Sequence, residues 1–269
     1  MFTHGNPARI GAALARLQSV ARETGVELLL GADEAAKHGL EAAETADLAR
    51  ADIAVVLGGD GTILRALARL LGTGVPVIGV NYGRVGFLSS IARTELEAGL
   101  ARVFAGEYEV VELATLELET QGARHVAVND VVVSSGVLGR MVELEWSVGG
   151  EALGSVPCDG IICSTPSGST AYNLSNGGPV LMWGIDAMAV TFVAPHALDA
   201  RPFVVPRGLD LVVRNRTRAV AAAVLVDGHR VGDAPAGGPV VVRLGPERSL
   251  LATLPEATFV RRYRSSFAP

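Results

Sequence analysis

Residues 52–57 (DIAVVL) make a short, almost unbroken apolar run that stops at Gly58-Gly59-Asp60-Gly61-Thr62, and a helical pattern begins at once. Apolar residues at consecutive positions over so few residues read as a strand buried on both faces. Two further runs are of the same kind: residues 26–30 (VELLL), ended by Gly31, and residues 75–80 (VPVIGV). Helical patterns lie between them. Leu14, Leu17 and Val20 share a face after the turn Asn6-Pro7-Ala8, and Ile63, Leu64, Leu67, Leu70 and Leu71 share a side of 63–71. Buried strands alternating with helices predict a parallel sheet covered on both faces. Met1-Phe2-Thr3-His4 is too short for the strand that normally opens such a domain, and is read as a truncated one.

From about Tyr108 the texture changes. Residues 109–119 and 141–148 alternate apolar and polar, 126–133 is apolar, and Gly149-Gly150 suits a hairpin turn. Strand-like runs recur at 189–193, 210–213, 220–226, 239–244 and 250–253, and helical periodicity is scarce. The expected architecture is an α/β N-terminal domain with a parallel sheet (1–105) plus an all-β C-terminal domain (106–240). A C-terminal segment (241–269) is expected to return to the first domain.

Charge and composition exclude several classes of function. The net charge of −5 disfavours a nucleic-acid partner. Lys37 is the sole lysine and precedes His38, so a Walker phosphate loop is absent. Gly59 and Gly61 are followed by Leu64, which breaks the dinucleotide fingerprint G-x-G-x-x-G. Cys158 and Cys163 have no partner spacing for zinc and read as free thiols of a reducing cytoplasm. The five histidines show no metal spacing, and no metal ligand set is expected. Neither a membrane-spanning run nor a secretory leader is visible, which gives a cytoplasmic expectation. The 32 glycines among 269 residues exceed the ~7% of average chains and lack a G-X-Y period. They imply tight turns and close backbone approach to a ligand.

Three polar segments remain to be explained. Gly58-Gly59-Asp60-Gly61-Thr62 lies at the carboxyl end of a buried strand, where open α/β sheets bind ligands. The free amides opening the next helix suit phosphate oxygens. Asp60 there is either a helix cap or a general base. Residues 159–179 (DGIICSTPSGSTAYNLSNGGP) are hydroxyl, amide and glycine from Ser164 onward and do not look like core. They read as a ligand-binding loop with Tyr172 as an aromatic platform, or as a polar surface loop. Gly168-Ser169-Thr170 can start a short helix, whereas no glycine stands two positions before Ser167 or Ser169 as a hydrolase elbow needs. Asn129-Asp130 breaks an apolar run and reads either as a bulge or as a grip on ribose hydroxyls.

Taken together, GGDGT after a strand, Asn-Asp some seventy residues later and DGIICSTPSGSTAYNLSNGGP resemble the NAD kinase family. Gly86-Phe87-Leu88, residues 195–202 (PHALDARP) and Val226-Asp227-Gly228 add to the likeness, which spans roughly 50–230. Lipid kinases and 6-phosphofructokinases have similar GGDGT turns but not the STPSGSTAY segment.

The resemblance implies phosphoryl transfer from ATP or polyphosphate to the adenosine 2′-hydroxyl of NAD, with Asp60 taking the hydroxyl proton. Gly58, Gly59, Gly61 and Thr62 would shape the donor's phosphate cradle. Asp60, Gly61, Phe87, Leu88, Asn129, Asp130, Asp159, Ser167, Thr170, Ala171, Tyr172 and Ser175 would bind NAD, with Phe87 and Leu88 on the adenine side. Asp130 stands where the family often has glutamate. Ser155-Val156-Pro157-Cys158 lacks the basic residue that many members carry before the DG, leaving Arg140 or another arginine to replace it. Mg²⁺ or another divalent cation is the implied charge neutraliser, and a homodimer or homotetramer the implied assembly. Two other readings are a lipid or sugar kinase with the same turn, and a silent NADP sensor.

Overall fold

The computed structural model describes residues 1–42, 48–83 and 86–267. The chain divides into two compact units, Met1–Glu112 with Ser249–Pro269, and Leu113–Arg248.

The first unit is α/β. Strands β1 (Phe2–Thr3), β2 (Ala54–Gly58) and β3 (Val77–Asn81) are parallel, with Phe2 opposite Val56 and Ala54 opposite Val77. The far end of the last strand, β15 (Pro239–Thr253), adds to β3 in parallel at Leu251. Helices α1 (Ala13–Thr24), α2 (Ala32–His38), α3 (Asp60–Arg69) and α4 (Leu96–Phe104) belong to this unit. Leu17, Val20, Val55, Leu57, Ile78, Val80, Leu96 and Leu100 share its core. α1 stops where Gly25 adopts φ 71°, and the Val26 amide then bonds the Ala21 carbonyl at 2.8 Å.

Two expectations for this unit need correction or detail. Residues 26–30 are not a strand. The Leu29 carbonyl takes the Met1 amine instead, and a two-residue β1 offers no edge long enough for a ladder. The short opening segment does pair with β2, over Phe2 and Thr3.

In the second unit the strands pair antiparallel in the ladders that follow. One group holds β4 (Glu109–Thr120) against β5 (Ala123–Ala127), and β7 (Val142–Val148) between β8 (Glu151–Cys158) and β12 (Leu211–Asn215). β12 in turn pairs with the start of β15. The other is a six-stranded sheet. Its order is β11 (Phe203–Pro206), β10 (Ala187–Val193), β9 (Gly160–Ser164), β6 (Asp130–Ser135), β13 (Ala222–Val226) and β14 (His229–Ala234). Its one α-helix among the described residues is the four-residue α5 (Tyr172–Ser175). In β7, Val142, Leu144, Trp146 and Val148 face the core and Glu143, Glu145 and Ser147 face outward. The β7–β8 hairpin turns at Gly149 and Gly150, with φ of 58° and 88°.

The runs expected as separate strands at 239–244 and 250–253 are one strand, β15. Gly245-Pro246-Glu247 reads as a break, yet the Glu247 carbonyl accepts the Thr115 hydroxyl at 2.7 Å and Pro246 sits exposed. The chain passes between the units within β4 and within β15. The α/β plus antiparallel-β architecture is the one the sequence predicts.

Candidate active site

In the first unit, β2 delivers Gly58 and Gly59 to the amino end of α3. A Cβ on Gly58 would lie 2.6 Å from Thr62 Cβ, so Thr62 folds back over the strand end only because that position is bare. Gly59 faces Gly83, whose own Cβ would stand 3.1 Å from Gly59 Cα. The Gly59 carbonyl accepts the Thr62 and Ile63 amides at 2.9 and 3.1 Å, which winds the first turn of α3. The amides of Asp60 and Gly61 come before those bonds, at the helix end that favours anions.

Asp60 turns its carboxylate to another segment. It accepts the Phe87 amide at 2.6 Å and the Leu88 amide at 3.1 Å. A Cβ on Gly86 would come within 2.1 Å of Asp60 Oδ1, so glycine at 86 is what lets this loop reach the acid. Phe87 and Leu88 serve it through their backbones. Their side chains are buried, and the Phe87 ring packs on Phe259 at 5.0 Å and Phe267 at 6.1 Å.

In the second unit, the start of β6 is built around Asp227. Its carboxylate accepts the amides of Val128, Asn129 and Asp130 at 2.9, 2.7 and 3.1 Å, and its own amide returns a bond to the Asp130 carbonyl at 2.9 Å. Asp227 has φ 48°, before Gly228 at 80°. Thr165 and Ser167 hydroxyls donate to the Val128 carbonyl at 2.7 and 3.0 Å, and the Thr165 amide to the Asn129 carbonyl at 2.9 Å. Asn129 Oδ1 is buried and unpaired among the described residues, an acceptor that a sugar hydroxyl would satisfy. Burial pushes the Asp130 carboxyl up to about 7, helped by the neighbouring charge of Asp227. Asp227 is also raised by burial, against the pull of its three amide donors.

Residues 164–169 are not a surface loop. Every one of them is buried, which corrects the expectation that nothing there looks like core. The reason is a closed hydrogen-bond network rather than apolar packing. Ser169 Oγ bonds the Pro166 carbonyl at 2.7 Å and accepts the Leu181 amide at 2.9 Å. Asn173 donates to the Ser169 and Pro179 carbonyls, each at 3.0 Å, and accepts the Thr191 hydroxyl at 2.7 Å. Gly168–Thr170 forms a short 3-10 turn leading to α5, as its sequence suggested.

The structure therefore gathers the expected residues into two sets. Asp60, Gly58, Gly59, Gly61, Thr62, Phe87 and Leu88 lie together in the first unit. Asn129, Asp130 and Ser167 interlock in the second, with half-buried Thr170 and exposed Ala171, Tyr172 and Ser175 following on. Asp159 is apart from them. Asp130 pairs with Ser164 and Ser134 with Gly160, so exposed Asp159 sits at the other end of β9, roughly 16 Å away at ~3.3 Å per residue. Arg140, exposed in the loop after β6, leaves the sheet at that same far end. Asp227 and Asn173 are functional-site residues that the sequence shows only as members of motifs, with no role of their own. The signal for Asp227 was an acid directly before glycine, beside an apolar strand.

Two family models match the chain: the ATP-NAD kinase N-terminal domain over residues 18–108 and the ATP-NAD kinase C-terminal domain over residues 128–254. An NAD kinase of Gemmatimonas aurantiaca is 40% identical over 220 residues, covering 79% of this chain and 76% of the relative. One of Heliobacterium modesticaldum is 39% identical over 222 residues, covering 81% and 78%. Among solved structures, yeast NADH kinase complexed with NADH has the same fold, with a TM-score of 0.86 at 22% identity, covering 98% of this chain and 85% of that one. An NAD kinase from Archaeoglobus fulgidus in complex with ATP gives a TM-score of 0.75 at 25% identity, covering 96% and 93%.

Proposed function

The chain belongs to the NAD kinase family, and from that membership we propose that it makes NADP by phosphorylating the adenosine 2′-hydroxyl of NAD, with Asp60 as general base. The observation that carries this reading is the setting of Asp60. Its carboxylate stands at the first turn of α3, fixed by two backbone amides. Each carboxylate oxygen has a further lone pair, so an acid held this way still accepts a hydroxyl proton as the hydroxyl attacks phosphorus. The amides at the start of α3 steady phosphate oxygens, which is most of what phosphoryl transfer asks of a protein.

Asn129, Asp130, Ser167, Thr170, Ala171, Tyr172 and Ser175 are the proposed contacts for the dinucleotide. The unpaired Asn129 Oδ1 favours a ribose hydroxyl there. Asp159 is kept as a proposed contact, at a point on the dinucleotide away from the other residues of its unit.

ATP or polyphosphate is the proposed donor, since a backbone cradle reads phosphate and not base. Among the described residues no three His, Cys, Asp or Glu side chains cluster to hold a metal. A divalent cation fits here only as a partner of the donor's phosphates, where it supplies charge neutralisation. A cytoplasmic location accords with two buried free thiols, and no described helix is long and apolar enough to cross a membrane. A homodimer or homotetramer is proposed on the family resemblance.

The test incubates the purified chain with NAD or NADH and a panel of ATP and polyphosphate, and measures NADP(H) with a coupled dehydrogenase. NADP from at least one donor is expected. Asp60→Asn is expected to lower turnover at least ~100-fold while NAD binding by calorimetry persists. No product from any donor would overturn the activity, and a fully active Asp60→Asn enzyme would overturn the base.

A further inference from the structure

The loop that holds Asp60 is itself gripped from below by α6 (Phe259–Phe267). Arg262 of this helix is buried, with 6% exposure. Its Nη1 donates to the Phe87 carbonyl at 2.9 Å and to the Ser89 carbonyl. Its Nη2 donates to Ser90 Oγ at 2.8 Å and Thr253 Oγ1 at 3.0 Å, and its Nε to the Ala257 carbonyl at 2.8 Å. Phe259 and Phe267 of the same helix pack on the Phe87 ring. One amide is central to this arrangement. The peptide joining Phe87 to Leu88 accepts from Arg262 through its oxygen and donates to Asp60 Oδ1 through its nitrogen.

A buried guanidinium bonded to neutral carbonyls and hydroxyls is costly to desolvate. Burial lowers its pKa to about 10, while the charge of Asp60 favours the cation. A hydrocarbon side chain under the loop would avoid that cost. What it would lack is a planar set of donors that locks consecutive carbonyls at fixed angles. A donor chain from cation through amide to carboxylate also polarises each bond in turn.

We propose that Arg262 is a positioning residue for phosphoryl transfer, acting through the 86–90 loop to fix the aim of the Asp60 carboxylate. This rests on the reading of Asp60 as general base. Arg262 touches neither substrate nor donor in this account. Its loss lets the loop relax, the Phe87 and Leu88 amides wander, and Asp60 lose its alignment with the hydroxyl.

Arg262→Met and Arg262→Lys, made in the full chain, test this alongside Asp60→Asn and the double variant Asp60→Asn/Arg262→Met. The quantities read are kcat, KM for NAD and the thermal midpoint. Arg262→Met is expected to lower kcat by about 10–100-fold, the scale of a small misplacement, with KM for NAD little changed. Arg262→Lys should recover part of the loss, because an ammonium still donates to some of the carbonyls. In the Asp60→Asn background, Arg262→Met should cost no further rate, since the group it aims is gone. Wild-type kcat in folded Arg262→Met overturns the proposal, and so does an equal loss with Asp60 already replaced. If Arg262→Met does not fold, wild-type kcat in Arg262→Lys overturns it and a lowered kcat at unchanged KM supports it. An active Asp60→Asn enzyme refutes the base assignment itself, a separate result from an active Arg262 variant.

Discussion

Two glycines, Gly86 in the first unit and Gly168 in the second, leave almost the same room for a side chain. A Cβ would fall 2.1 Å from Asp60 Oδ1 at Gly86 and 2.2 Å from the Asn129 carbonyl oxygen at Gly168. The obstacles differ in kind. Asp60 meets Gly86 with the end of a side chain, which can rotate away. Asn129 meets Gly168 with its backbone, which is fixed by Thr165, by Asp227 and by the register of β6. The first unit positions one acid with a few backbone amides, and the second builds a rigid polar interior. Under the proposed function, small residues protect a geometry of reaction in one and a geometry of folding in the other.

The same substitution should therefore give opposite readouts. Gly168→Ala is expected to destabilise by about 3 kcal/mol or more, lowering the thermal midpoint by about 10 °C and abolishing NAD binding. Gly86→Ala is expected to cut turnover by ~100-fold while the midpoint stays within about 2 °C of wild type. Matching melting losses in the two variants would break the comparison. A smaller effect is expected at Asn173, where alanine strands the partners that its amide joins. Asn173→Ala should cost about 1–3 kcal/mol, seen as a lower urea midpoint. An unchanged midpoint would mean that the network around residues 164–169 is not what holds them.

The gentlest test is pH. Burial keeps the Asp130 proton on up to about pH 7, whereas an exposed aspartate loses it near 3.8. Between those values the folded chain holds a proton that the unfolded chain has released. Stability from this group thus falls as pH rises through that window. Asp130→Asn should match wild type in thermal midpoint near pH 4 and exceed it by several degrees at pH 8. Parallel midpoint curves across pH 4–8 would show that Asp130 is not held neutral.

Much of this was legible in the chain itself, and the failures share a cause. β2, β3, α1 and α3 announce themselves by period, because each buries a continuous or one-sided apolar surface. Gly58 to Thr62 stood out because glycine beside an acid, after a strand, has few uses. Residues 26–30 failed because apolar content without a partner edge does not make a strand. Residues 164–169 failed for the converse reason, since serines and threonines that satisfy one another can fill an interior, and composition cannot show which hydroxyl meets which carbonyl. The grip of Arg262 on the 86–90 loop lies 172 or more positions apart in sequence, beyond any local pattern.

The discontinuity of the first unit also sets a schedule for its assembly. Segment 249–269 contributes the end of β15 and all of α6, yet the ribosome makes it after the whole of the intervening unit. The middle of the polypeptide can finish folding on the ribosome while the earlier-made half waits, one strand and one helix short. Until segment 249–269 is made, the first unit lacks the guanidinium that holds the Phe87 and Ser89 carbonyls, so the loop against Asp60 takes its final form later than the strand and helix that carry the acid.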